Sequence, residues 1–261
     1  MEQKQAGLAR FDAEAPSMKA ADSNEASQLE TQGFCILPQV FGAADIARFR
    51  AAVMREAETM GQTRNVAHAR HLAGFHRFPK FAGLHAELVA EPGVNALLDR
   101  YYGGDSFYAI GLTDITINRS QHWHTDLLRG TYSHFLQDDL PWQAGERGCI
   151  KALVYLQSGK SLRIVPGSHL SPTPLDDVAL ERMAEQGSYA VLDVAAGEVV
   201  MIDIRSLHRG STDAEMAAPA LAHNPKILIS TVFGAIHSRF AQAMQIGNAH
   251  RMQDWDARNL K

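Results

Sequence analysis

The chain has 261 residues, 46% of them hydrophobic, enough for one well-buried domain of β-barrel size. Its formal net charge of -4 and pI of about 6.3 argue against a surface built for nucleic acid. Cys35 and Cys149 are the only cysteines, no apolar run approaches a membrane span, and the opening Met1 to Gly7 lacks a signal-type apolar core. A disulfide scaffold, a cysteine zinc site and a membrane partner are therefore not expected, and the default location is cytoplasmic.

Residues 1–27 are rich in Ala, Glu, Ser and Asp without periodicity, and are expected to form a flexible segment ahead of one domain spanning residues 28–261. Leu29 to Gln32 reads as a short helix ended by Gly33, and Phe34 to Leu37 as a strand. Gly42 to Met60 is helical, with Ile46, Phe49, Val53 and Ala57 forming an apolar stripe. Thr59 to Ala86 contains no acidic residue but holds Arg64, His68, Arg70, His71, His76, Arg77 and Lys80. Two readings stay open: a solvated loop, or a lid that draws in an anionic substrate, with Arg70, His76 and Arg77 as binding candidates. Ala86 to Tyr102 reads as a helix pair broken at Pro92-Gly93.

From Ser106 the pattern changes to short strands: Phe107 to Leu112, Thr113 to Asn118, Gly148 to Leu156, Ser161 to Val165, Tyr189 to Val194, Glu198 to Ile204 and Ile227 to Phe233. The series predicts a mainly β fold, a sandwich or barrel with helices packed outside. Arg239 to Lys261 reads as an amphipathic helix covering one sheet.

The chemistry is concentrated in Gln121-His122-Trp123-His124-Thr125-Asp126. In extended chain, residues i and i+2 share a face, so His124 and Asp126 aim at one point while Trp123 and Thr125 turn away. An imidazole and a carboxylate so placed are most of the 2-His-1-carboxylate facial triad that holds non-haem Fe(II) with open positions. His208, directly after the strand Glu198 to Ile204, is the candidate for the second histidine. His122 shares the face of His124, but a fourth protein ligand would close a position that dioxygen needs. His169 is expected to pin its Pro-Gly turn by a backbone hydrogen bond. Lys151 and Tyr155 alternate with Leu153 on a strand lining the barrel, where either can donate to a co-substrate or substrate.

With these residues in place, the chain resembles the phytanoyl-CoA dioxygenase family of Fe(II)/2-oxoglutarate oxygenases. Leu29 to Ala52, Trp123-His124-Thr125-Asp126, Ile164-Val165-Pro166-Gly167-Ser168-His169, and Ala196-Gly197-Glu198 through His208-Arg209-Gly210-Ser211 carry the likeness, in family order. The resemblance implies a double-stranded β-helix, a jelly-roll or cupin-like barrel, with Fe(II) on His124, Asp126 and His208. It also implies 2-oxoglutarate and dioxygen as co-substrates, and hydroxylation of a small organic molecule with release of succinate and CO2. Halogenating relatives carry a small residue where Asp126 stands, so halogenation is not implied. The family usually has an arginine about ten residues beyond the second histidine, to grip the far carboxylate of 2-oxoglutarate. Thr212 to Leu221 has none. Lys226, with Ser230 on its face, is the first cation on the next strand, and Arg209 is the alternative. A lysine there would hold the carboxylate as a point charge, without the fork of arginine. That departure keeps two rivals open: a cupin-like hydrolase or isomerase using Zn(II) or Mn(II), and a non-catalytic small-molecule-binding barrel.

Overall fold

Strand alternation decides which side chains face the core and which face the site. The computed structural model describes residues 25–62, 68–173 and 177–259. Most of the expected flexible segment (residues 1–24) and Arg64 lie outside the described residues.

The strands are β1 Phe34–Leu37, β2 Gly61–Gln62, β3 Arg70–Ala73, β4 Phe107–Ile117, β5 Ile150–Tyr155, β6 Gly159–Ile164, β7 Ala190–Val194, β8 Val199–Asp203, β9 His208–Arg209 and β10 Ile227–Ala235. They form a seven-stranded sheet, β1-β8-β5-β10-β4-β3-β2, and a three-stranded sheet, β7-β6-β9, with antiparallel pairing throughout. The fold is thus antiparallel and β-rich with flanking helices. The helices are α1 Glu25–Gln32, α2 Ala43–Arg55, α3 Pro79–Val89, α4 Pro92–Tyr101, α5 Asp177–Gln186, α6 Asp213–Met216 and α7 Arg239–Asn259.

Alternation on β5 and β10 divides the interior in two. Ile150, Ala152 and Val154, with Ile227, Ile229 and Phe233, pack outward against Phe49, Val53, Phe81 and Leu97 of the helices. Leu153, Tyr155 and Leu228 face the other way, toward Leu162, Ile164, Leu192 and Val194 of the small sheet. The inner face is therefore apolar at one end, and Lys151, Ser230 and Lys226 place polar atoms in it elsewhere.

Two glycines are required by backbone geometry. Gly33 ends α1 at φ 83°, its N–H bonded to the Leu29 carbonyl at 3.0 Å. Gly111 sits at φ 78° inside β4, where Ala109 pairs with Phe233 but Thr113 pairs with Thr231. The two predicted strands Phe107 to Leu112 and Thr113 to Asn118 are one strand carrying this bulge.

The acid-free stretch is largely regular structure among its described residues. Its residues 68–86 form β3, a 3-10 turn at Phe75–Arg77 and the start of α3, with Phe75 and Phe81 wholly buried. Helix α3 starts at Pro79, earlier than the predicted Ala86, because proline suits a first helical turn. The closing helix α7 packs on β4 and on the 3-10 segment Gly130–Trp142.

Candidate metal centre and cavity

His124 and His208 come together through the backbone. Each donates its N–H to the other's carbonyl, at 2.8 and 2.9 Å, and Asp126 N–H donates to the Ile204 carbonyl at 2.9 Å. The loop between Ile204 and His208 is itself held from beneath. Buried Arg205 makes a two-pronged pair with Asp203, at 2.9 and 2.6 Å, and donates to the Pro141 carbonyl at 2.7 Å. Ser168, of the Pro-Gly-Ser-His turn, accepts from Leu207 N–H at 2.8 Å and donates to the Val165 carbonyl at 2.7 Å. That turn therefore supports the residue next to His208. His169 fastens the turn to α1 through the Glu30 carbonyl, 3.0 Å from its Nε2.

The imidazoles are oriented by carbonyls that can only accept. His124 Nδ1 donates to the His122 carbonyl at 2.7 Å, and His208 Nδ1 to the Ser206 carbonyl at 2.9 Å. Both Nε2 atoms are thereby left as acceptors, the one on His124 taking a hydrogen bond from Gln121 Nε2 at 3.3 Å. They lie 3.7 and 3.6 Å from the Asp126 carboxylate, and one ligand atom from each residue falls within 4.8 Å of the others. Lys151 Nζ also reaches Asp126 Oδ2, at 3.0 Å.

Electrostatics prepare the same trio. Burial, then the neighbouring His208, push the His124 imidazole down to about 3 against the pull of Asp126. Burial also lowers His208, again opposed by Asp126. Burial alone would raise the Asp126 carboxyl, but Lys151, His208 and His124 outweigh it and hold it below the usual carboxylate range. At neutral pH the set is two neutral imidazoles and one carboxylate, the protonation states a divalent metal requires. Three donors on one side of an open cavity fit Fe(II) in a facial triad better than a closed structural zinc site. The His122 ring is largely exposed, 3.9 Å from Glu181, and is not one of the three donors.

The trio opens on a cavity of about 490 Å³. At one end stands Lys226, buried, its Nζ donating to Ser211 Oγ at 2.9 Å and to Ser161 Oγ, and lying 5.9 Å from the Tyr155 ring centre. Burial pushes its ammonium down to about 8, with Glu215 opposing and Arg163 adding. Tyr155 and Ser230 line the same wall. Arg209 does not: its guanidinium lies 5.8 Å from the centre of the Trp123 ring, outside the cavity lining.

None of Arg70, His76 and Arg77 lines the cavity. Arg77 is paired with Asp256 of α7 at 2.6 Å, and His76 Nδ1 is 2.9 Å from Thr113 Oγ1. Arg70 precedes on β3 the residue that does face inward, His71. Of this segment it is His71 that lines the cavity, because strand alternation and not charge sets which side chain turns in. His71, Asp114, Arg119, Arg129 and Arg251 line the cavity, and no local spacing marks them.

The sequence matches the phytanoyl-CoA dioxygenase (PhyH) family over residues 29–214. The chain belongs to that family. Its cofactors are accordingly Fe(II) and 2-oxoglutarate, and the protein is of the Fe(II)/2-oxoglutarate-dependent oxygenase type. Similar solved structures include EctD from S. alaskensis with 2-oxoglutarate and 5-hydroxyectoine, 19% identical over 88% of this chain and 83% of that one, TM-score 0.60. HygX from Streptomyces hygroscopicus, with nickel and 2-oxoglutarate, is 18% identical over 85% and 89%, TM-score 0.58. The epimerase SnoN, in complex with Fe3+, alpha ketoglutarate and nogalamycin RO, is 17% identical over 81% and 82%, TM-score 0.57. At these identities the likeness is one of fold. No curated protein gives a significant sequence match. Among the described residues, no helix is long and apolar enough to cross a membrane.

Proposed function

We propose that this PhyH-family protein hydroxylates a small, anionic organic molecule, with 2-oxoglutarate converted to succinate and CO2. The observation that carries the reading is the convergence of two unprotonated Nε2 atoms and the Asp126 carboxylate at a cavity that a buried ammonium also lines. His124, Asp126 and His208 would hold Fe(II), which when bound supplies the activation of dioxygen. We read the two sheets as a double-stranded β-helix, and residues 28–261 as its single domain. The two buried free cysteines, Cys35 and Cys149, suit a reducing cytoplasm.

The chain's own residues divide the remaining work. Lys226, whose partners Ser161 and Ser211 are neutral, takes the far carboxylate of 2-oxoglutarate in place of the usual arginine. Tyr155 and Ser230 shape that arm. Lys151 fixes the orientation of Asp126. The departure that favoured a hydrolase or a non-catalytic barrel is offset in this reading by Lys226, a cation that lines the cavity. Three arginines on the wall, Arg119, Arg129 and Arg251, supply the field for an anionic substrate that Arg70 and Arg77 do not.

Anaerobic titration with Fe(II) and 2-oxoglutarate tests the reading. A weak visible charge-transfer band should develop, and His124→Ala, Asp126→Ala or His208→Ala should each abolish it. Absence of the band in the wild-type protein would return the hydrolase reading to first place.

A further inference from the structure

The wall of the cavity built by β3, β4 and α7 carries charges that serve neither the metal trio nor Lys226. Asp114, on β4, accepts a hydrogen bond from His71 Nε2 of β3 at 2.7 Å. Among the described residues this is its only side-chain hydrogen bond. Arg251 comes from α7. Its Nη2 donates to Asn248 Oδ1 at 2.8 Å, and Asn248 Nδ2 donates to the Gly111 carbonyl at 2.9 Å. The guanidinium is thereby fastened to the bulge of the strand that carries Asp114. Its Nε is buried with no hydrogen-bond partner, and among the described residues it makes no ion pair.

The Arg251 charge acts on Asp114 without a contact between them. Burial would raise the Asp114 carboxyl, but His71, Lys151 and Arg251 outweigh it and keep it well below the usual range. Burial, with Arg119 and Arg251 adding, lowers His71 in spite of Asp114, so at neutral pH its ring is neutral. A neutral His71 donates from Nε2 and leaves Asp114 with an undiminished charge. Opposite charges that are partly withdrawn from water attract one another strongly. Here Asn248 holds one and His71 the other, and both face the same cavity. What satisfies the two at once is a ligand spanning them.

Building on the Fe(II)/2-oxoglutarate reading, we infer that this wall is the substrate's recognition site, and that the substrate pairs an oxyanion with a hydroxyl or ammonium group. The oxyanion, a carboxylate or phosphate ester, sits on Arg251. The hydroxyl or ammonium donates to Asp114. His71 and Asn248 are positioning residues, holding Asp114 and Arg251 apart.

The test uses the full chain, loaded anaerobically with Fe(II) and 2-oxoglutarate so that Lys226 is engaged. Probes are titrated calorimetrically: β-alanine, 3-hydroxypropionate and phosphoethanolamine carry both groups, whereas propionate and inorganic phosphate carry the anion alone. At least one two-headed probe should bind tenfold or more tightly than its anion-only counterpart. Asp114→Asn should erase that advantage, and Arg251→Gln should weaken both kinds of probe at least tenfold. The charge-transfer band, read in each variant, checks the fold and the co-substrate arm separately. If Asp114→Asn loses the band, Asp114→Glu is read instead and should retain the advantage. Equal affinity for two-headed and anion-only probes, or an advantage that survives Asp114→Asn, overturns the inference. A wild-type protein that never develops the band refutes the oxygenase reading instead, and the titrations on metal-free protein still judge the wall.

Discussion

Replacing Lys226 with methionine should make the protein more stable and less able to hold 2-oxoglutarate. Burial lowers this ammonium from 10.5 to about 8, which corresponds to about 3 kcal/mol of disfavoured charge in the folded state. Methionine removes that penalty while filling similar volume, but it strands the hydroxyls of Ser161 and Ser211, at about 1 kcal/mol each. The net gain in the co-substrate-free protein is then about 1 kcal/mol, or a rise in Tm of roughly 2 to 4 °C. The pH dependence has a definite sign. Below about 8 both folded and unfolded chains carry the proton, so the penalty is complete. Between about 8 and 10.5 only the unfolded chain still holds it, so wild-type stability gains from this group as pH rises, and the variant should lack the gain. Loss of a charge-assisted contact should meanwhile raise the Kd for 2-oxoglutarate about ten- to a hundredfold, read from the anaerobic charge-transfer band. A lower Tm together with an unchanged Kd would mean that Lys226 is a structural lysine and that the carboxylate binds elsewhere.

Other perturbations separate site from scaffold. His124→Ala, Asp126→Ala and His208→Ala should each abolish succinate release while leaving a cooperative thermal transition, because the bridge between the two ligand segments is made of backbone. Asp203→Asn, by contrast, strands the buried Arg205 guanidinium and should lower stability by about 3 to 5 kcal/mol, measured by urea unfolding. Arg77→Glu breaks a partly exposed pair with Asp256 and should lower stability by less than about 1 kcal/mol, with 2-oxoglutarate affinity unaltered.

The parts of this protein legible in its sequence are those whose geometry is local. His124 and Asp126 share a face because strands alternate, and Lys226, Leu228 and Ser230 line one wall for the same reason. His208 was reachable because one lone histidine followed the right strand. The acid-free segment is different. A charge count carries no information about faces, and it is His71, not Arg70 or Arg77, that alternation turns inward against Asp114. Arg251 had no local mark at all, since its place depends on how α7 lies across the bulge at Gly111. Likewise β2 and β3 are short, and their pairing with β4 is a long-range event that no local run of residues announces.

The reciprocal hydrogen bonds between His124 and His208 have a consequence for metal choice. Because peptide groups and not the ion draw the two chain segments together, the donor atoms wait in place like a socket. With only three protein donors and the other positions open, it imposes no complete coordination geometry, and the Irving–Williams order then ranks nickel, copper and zinc above iron. Selection of Fe(II) must therefore be made outside the protein, by the free concentrations a cell maintains. Enzyme produced under zinc- or nickel-rich conditions should emerge folded, loaded and inert, and recover on chelation followed by iron.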